Sequence, residues 1–366
     1  MDIKLHVFNV NHGDSILVEV LSEEPKYILI DSNLLFKNGS FLSPAYEYLK
    51  SKNVKKINTL IVTHFHLDHY FGIEKFLNNF EIERVLVPPV FSKESLLFKK
   101  LVQKYKTKIR QAYNRTSEAE LNKKLLSLSE LLKYLNDHPE KVEEAVGKEN
   151  VFRLAGINGT DFQGRVYLPL PRLKGLIREV IEKGNFELDN FPLMNDMSVA
   201  ILLECFGKKI LLTGDSTFPQ WEEHRRMMAH DGVDNLDVVF LKASHHGSRE
   251  NNNNKLYEYL FKRTEGDRYI FISANGRTHP HDEIFDLINK FNLKPYCTNL
   301  SNNCMATQSI QPKVLTRIPP VMATFIGNYP FEVNGESVVC QGDICLSLNS
   351  VQHDVSYSSA LPCVYR

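Results

Sequence analysis

Three histidines and an aspartate fall within the six positions 64–69 of "THFHLDH": His64, His66, Asp68 and His69. In extended backbone, residues i and i+2 point to one side, so His64 and His66 can present two imidazoles to one ion. Helical zinc pairs use i, i+4 spacing instead. Asp68 and His69 follow where the chain turns into "YFGIEKFL", and adjacent residues in a turn can both reach a second ion. Burying these four side chains without a metal would leave several polar groups to satisfy. Two ligand pairs point to two metals. The remaining ligands must come from elsewhere. Asp215, at the end of "LLTGDS", can bridge two ions with its two oxygens, and "SHHGS" offers an imidazole from His245 or His246.

These residues need strand ends to hold them. "NTLIVT" (58–63) is apolar without alternation, the pattern of a strand covered on both faces, and it runs straight into His64. Upstream, "IKLHVFNV" and "SILVEV" read as strands around an "NHGD" turn, and "KYILIDS" is a third that stops at Asp31. A comparable order returns after residue 195. "SVAILLECFGKKILLTGDS" is a hairpin turning at Gly207 and stopping at Asp215, "LDVVFLKASHHGS" is a buried strand running into His245 and His246, and "RYIFISANG" supplies another. A hairpin ending in Asp-Ser followed by a strand ending in histidines thus occurs twice. The repeat predicts two β-rich halves packed face to face, with helices at 73–79 and 282–291 on the outside.

The 366 residues, 43% of them apolar, suffice for one large domain or two smaller ones. Lys plus Arg balance Asp plus Glu at 44 each, so no global field recommends nucleic acid or membrane. The N-terminus has no leader pattern and no apolar run approaches the roughly 20 residues of a membrane span, which predicts a cytoplasmic protein without a membrane partner. Six cysteines are too sparse for a disulfide framework. Within 93–126, ten Lys or Arg face three Glu. This stretch is a solvated helical face or a basic arm for a nucleic acid. We divide the chain into a main domain at 1–296, carrying a helical insertion at about 92–190, and a β-rich C-terminal extension at 297–366. Cys297, Cys304, Cys340 and Cys345 are spaced too loosely for a typical structural zinc site and are expected to be ordinary thiols.

"THFHLDH", "LLTGDS" and "LKASHHGS" together resemble the metallo-β-lactamase superfamily. The finer resemblance is to the branch holding the soluble domain of the DNA-uptake protein ComEC and a phosphorylcholine esterase. Its marks here are "NHGDSILVEV", "ILIDS", "NDMSVAILLE", "HHGS" and "THPH", in that order, over roughly 3–90 and 195–290. The resemblance implies an α/β fold, an αββα sandwich, with a site along one edge. It implies that His64 and His66 hold one metal, that Asp68 and His69 hold the other, that Asp215 bridges and that His246 completes the second site. His245 would then face the substrate, although the sequence does not set which of the two adjacent histidines is the ligand. Asp31, and with it Asp14, would accept a ligand imidazole's other N–H. His281 is a candidate proton donor or substrate contact. No third histidine for the first metal stands between His69 and Asp215, apart from His138 in the insertion. That ion would keep waters or take an oxygen near Asn195, and zinc and manganese both suit such a site.

A pair of ions bridged by a carboxylate lowers the pKa of a shared water from 15.7 toward about 7, giving metal-bound hydroxide at neutral pH. The reaction implied is hydrolysis, with a phosphodiester as leading substrate and a nuclease as leading activity. The alternatives are hydrolysis of a thioester, lactone or other acyl compound, and a scaffold that keeps the fold with an idle site. A protein partner in a multi-gene system would fit a stand-alone nuclease. Fold by itself does not choose among these.

Overall fold

The structure, a computed structural model, describes residues 2–37, 40–89, 118–147, 151–154, 162–182, 192–261, 266–274, 278–299, 331–333, 336–338 and 342–358. Its apolar runs lack alternation because both faces of each strand are covered. In strand Ile16–Leu21, Ile16, Val18 and Val20 enter one core while Leu17 enters another. In strand Lys26–Ile30, Ile28 and Ile30 divide from Leu29 in the same way.

Among the described residues, the first sheet has eight strands. Asp2–Val7, Ile16–Leu21 and Lys26–Ile30 are antiparallel neighbours, and Thr59–Ile61, Val85–Val87 and Val142–Glu144 continue in parallel from Lys26–Ile30. On the other side, Ile344–Leu348 pairs antiparallel with Asp2–Val7, and His353–Tyr357 follows it. The second sheet has seven strands among the described residues. Val151–Leu154, Phe162–Leu168, Ala200–Cys205 and Lys208–Leu212 are antiparallel, then Phe240–Lys242, Arg268–Ile272 and Leu293–Cys297 run parallel. The repeated order seen in the sequence is therefore a repeated topology: a hairpin, then parallel strands.

The inner faces of the two sheets share one core, in which Leu5, Val18, Ile30 and Ile61 meet Ile201, Leu203, Leu212 and Phe271. Outside the first sheet, Leu29 and Leu60 are covered by Ala45 and Leu49 of helix Pro44–Ser51, Phe76 of helix Glu74–Asn79 and Leu128 and Leu131 of helix Glu118–Asp137. Outside the second, Leu202, Leu241 and Ile270 meet Trp221 of helix Phe218–His230, Leu256 and Leu260 of helix Asn254–Leu260 and Ile284 of helix Asp282–Lys290. This is an αββα arrangement. Burial on this scale, at about 1.5–3 kcal/mol per large apolar side chain, fixes the strand ends that carry the polar residues.

Strands Val142–Glu144 and Phe162–Leu168 fall inside the stretch read as a helical insertion, and each belongs to a sheet. The second is only half patterned, with Phe162, Val166 and Leu168 buried between less covered neighbours, so it does not stand out as a core strand. Likewise, strand Ile344–Leu348 of the C-terminal stretch lies beside the first strand of the chain. Most of the basic stretch, 93–117, and Cys304, Cys340 and Cys363 lie outside the described residues. Among the described residues, Cys205 and Cys345 are free thiols. No helix among the described residues is long and apolar enough to cross a membrane.

Candidate metal centre

The polar residues meet at the C-terminal ends of the parallel strands, where the two sheets abut and the Val199 N–H of one donates to the Thr63 carbonyl of the other (2.9 Å). Asp31 ends Lys26–Ile30 in a left-handed conformation (φ 57°) and is fully buried. Its carboxylate accepts the Thr63 N–H (2.7 Å) and the Thr63 hydroxyl (2.6 Å), and it takes a proton-bearing contact from His69 Nδ1 (2.6 Å). Because the one Thr63 hydroxyl proton goes to Asp31, His64 Nδ1 is the donor to Thr63 Oγ1 (3.1 Å), while the Nδ1 proton of His69 goes to Asp31, with Thr63 Oγ1 3.3 Å away. Both imidazoles are thereby fixed with Nε2 unprotonated and facing inward.

His246 is set the same way from the second sheet. Its Nδ1 donates to the Ser273 carbonyl (3.1 Å), leaving Nε2 bare. His245 and His246 both have positive φ, at 47° and 54°, in a tight turn after Phe240–Lys242. Such backbone costs about 1–3 kcal/mol per residue and persists because surrounding bonds hold it. Those bonds come from a loop that the sequence reading passed over. Asn252 Nδ2 donates to the carbonyls of Ser244 (2.8 Å) and Ser248 (2.7 Å), and Asn251 Nδ2 to those of Asp215 (3.1 Å) and Ser216 (3.0 Å). Ser244 Oγ donates to the Ser216 carbonyl (2.5 Å), so the serines beside the histidines act as loop hydrogen-bonders.

Asp215 lies between the halves. Its Oδ1 is 3.5 Å from His69 Nε2, while its Oδ2 is 3.7 Å from His64 Nε2, 3.6 Å from His245 Nε2 and 3.7 Å from His246 Nε2. Asp68 Oδ2 lies 3.3 Å from His246 Nε2 and 3.6 Å from His69 Nε2. His66 Nδ1 stands 2.9 Å from His64 Nε2. The ligand atoms gather in groups, His64 with His69 and Asp215, and Asp68 with His246 and His12, each within 4.8 Å. His69 Nε2, His246 Nε2 and Asp215 Oδ1 are buried with no hydrogen-bond partner. Bare nitrogens facing carboxylate oxygens at these separations fit a shared cation, because ligands about 2.0–2.1 Å from a tetrahedral ion stand roughly 3.3 Å apart.

The electrostatics agree. Burial holds the His64 pKa well below the ordinary value, helped by His69 and His66, and burial also lowers His66. Burial works against charge on His69, yet Asp215, Asp68 and Asp31 outweigh it and raise that imidazole's pKa. Burial likewise opposes ionisation of Asp68 and Asp215, but the neighbouring histidines, His69 first, hold both well below the usual carboxylate range. Burial raises Asp31. Buried carboxylates held ionised among imidazoles form a charge pattern that a divalent cation would satisfy.

Other expected residues stand differently. Asp14 is fully buried, but its partner is the Lys242 ammonium at 2.5 Å; His246 Nδ1 is 3.7 Å away and donates to Ser273 instead. Burial raises the Asp14 pKa and Lys242 overcomes this to lower it. His281 caps helix Asp282–Lys290, and its Nδ1 accepts the Arg249 N–H (3.0 Å). It is His279 whose ring faces His245, at 5.8 Å between centroids, with His281 4.5 Å behind it. Burial, then the charges of His246, His281 and His245, push His279 down to about 3. Asn195 lies on the short helix Pro192–Asp196; its carbonyl accepts the Ser198 N–H (3.0 Å) and its Oδ1 is buried without a partner. His138 lies beyond helix Glu118–Asp137, half-buried against Tyr134.

Sequence reading missed Thr63, Lys242, Asn251, Asn252 and His12. Lys242 carried a signal, since it is the one charge in the apolar run "VVFLKA" and a buried cation needs a partner. The others are common polar residues in turns and strand ends, where type and spacing carry little information.

A model of the "Metallo-beta-lactamase superfamily" matches residues 8–256. No curated protein matches the chain. The matching solved structures include CmlA, a diiron β-hydroxylase from Streptomyces venezuelae, at 13% identity and a TM-score of 0.33. That match covers 66% of this chain and 34% of the other, so the chain spans about a third of that protein's length.

Proposed function

Because the chain belongs to the metallo-β-lactamase superfamily, whose membership implies metal-dependent hydrolase-type chemistry, we propose that it is a phosphodiesterase of the nuclease type working with two divalent ions. The observation that carries this reading is the convergence of the buried imidazole nitrogens of His64, His69 and His246, the last two without a hydrogen-bond partner, on the two oxygens of Asp215. His64 and His66 would hold one ion, Asp68, His69 and His246 the other, and Asp215 would reach both. When bound, the ions supply Lewis acidity, bringing the pKa of a water from 15.7 toward about 7. Zinc and manganese both suit this set of imidazole and carboxylate donors.

The chain's own residues do the rest. Asp31, Thr63 and Ser273 lock three imidazoles in the tautomer that leaves Nε2 free. His245, half-buried and 3.6 Å from Asp215, stands at the opening, placed to donate to a phosphoryl oxygen. His279, neutral at working pH, packs against it without adding charge. The choice of phosphodiester rests on the five ComEC-like motifs and on the basic stretch at 93–126, which offers a polyanion an arm to lie against.

The test compares turnover of bis-p-nitrophenyl phosphate, single-stranded and duplex DNA, and RNA with turnover of thioester and lactone substrates. The wild type is set against Asp68→Ala and His69→Ala. Phosphodiester cleavage lost in both variants supports the proposal. Acyl turnover without phosphodiester turnover would replace it with an acyl hydrolase.

A further inference from the structure

We infer that His12 is a ligand of the ion held by Asp68 and His246, an inference that rests on the two-ion reading above. His12 belongs to the "NHGD" turn between strands Asp2–Val7 and Ile16–Leu21. Its Nε2 lies 3.3 Å from Asp68 Oδ2, the oxygen that His246 Nε2 also approaches at 3.3 Å and His69 Nε2 at 3.6 Å. The ligand atoms of His12, Asp68 and His246 lie within 4.8 Å of one another. The rings of His12 and His246 meet edge to face, 5.3 Å apart.

A simple His–Asp ion pair would not look like this. One carboxylate oxygen is met by three imidazole nitrogens. In the neutral tautomer set by donation of Nδ1 to Ser273, His246 Nε2 is an acceptor that faces the Asp68 oxygen at 3.3 Å. A cation among these atoms removes that repulsion, and His12 then adds a neutral nitrogen donor on the solvent side.

The turn is built to hold the imidazole there. The His12 N–H donates to the Val10 carbonyl (2.9 Å), and the Asn33 amide donates to the His12 carbonyl. The Asp14 N–H donates to the Asp68 carbonyl (3.3 Å). Between them Gly13, at φ 97°, passes so close to Asp68 that a Cβ there would fall 2.1 Å from its carbonyl oxygen. The turn is clamped to the residue whose side chain His12 reaches.

An added imidazole has a chemical consequence. It biases this ion toward zinc over manganese, because nitrogen donors favour the later metal. The test uses the full chain stripped with a chelator and titrated with Zn(II) or Mn(II) against a chromophoric competitor. Wild type should bind two zinc ions. His12→Ala and His12→Gln should keep one at wild-type affinity and weaken the other at least about tenfold, with a smaller loss for manganese. Two zinc ions bound at unchanged affinity by both variants would overturn the inference while leaving the two-ion reading intact. A wild type that binds no ion would overturn that reading itself. As a check free of mutation, diethyl pyrocarbonate labelling of His12, read by peptide mass spectrometry, should be blocked by saturating zinc. Labelling that persists at full occupancy contradicts ligation.

Discussion

The Asp31 carboxylate lies 2.6 Å from Nδ1 of His69, and both side chains are fully buried. This pair turns a histidine that could present either nitrogen into one that presents Nε2 to Asp68 and Asp215. Asp31→Asn offers an amide where the carboxylate accepted, and should lower the affinity of one ion by about 10–100-fold while leaving stoichiometry at two. Chelator competition reads this directly. Unchanged affinity would show that packing alone orients His69.

Lys242 and Asp14 form a fully buried ion pair at 2.5 Å, with Lys242 also donating to the Gly214 carbonyl (3.2 Å). Lys242→Met strands the carboxylate and should destabilise the metal-free protein by about 3–5 kcal/mol. Lys242→Met combined with Asp14→Leu removes both charges and should recover most of that loss. Urea melts of the single and double variants decide it, and a single variant as mild as a surface substitution would contradict the pairing.

Gly13 and Gly207 both have positive φ, at 97° and 70°, but only Gly13 is hemmed in, by Asp68 and Asn33. Gly13→Ala should therefore cost more than the roughly 1–2 kcal/mol of left-handed strain on a Cβ and should also weaken metal binding. Gly207→Asn, in open space at the hairpin turn, should be nearly neutral. Equal effects at both positions would mean that conformational preference, not the approach to Asp68, governs Gly13.

Outside the metal centre, His6 Nε2 lies 2.5 Å from Glu19, which also accepts from the Tyr48 hydroxyl (2.6 Å). Burial alone would lower the His6 pKa, but hydrogen bonds to Cys345 and Glu19 carry it up to about 9. The folded chain thus keeps a proton that the unfolded chain releases near 6.5. The resulting stabilisation is complete below about pH 6.5 and declines by about 1.4 kcal/mol per pH unit until it is gone above 9. The stability difference between wild type and His6→Gln should follow that course. A difference constant from pH 6 to 9.5 would contradict it.

Where chemistry and local backbone coincide, the sequence is readable. "THFHLDH" at a strand end, Asp31, Asp215 and His246 are placed by hairpins and buried parallel strands whose patterns are strong, and the structure brings them together. What it hides are relations across the fold. Nothing local tells that Asp14 faces Lys242 rather than an imidazole, that Ser273 takes the proton of His246, or that "NHGD" lies over Asp68. Each depends on how two sheets meet. His281 and His279 show the same limit: two residues apart, one caps a helix and the other faces His245.

Phosphodiester cleavage by this chain, as proposed, should require ions held by these residues. The most direct test measures bis-p-nitrophenyl phosphate turnover by the stripped chain as zinc or manganese is returned in measured amounts. Turnover absent at zero ions and rising to a maximum at two per chain is the result predicted here. Full turnover by the stripped chain, or none at any loading with either ion, would contradict it.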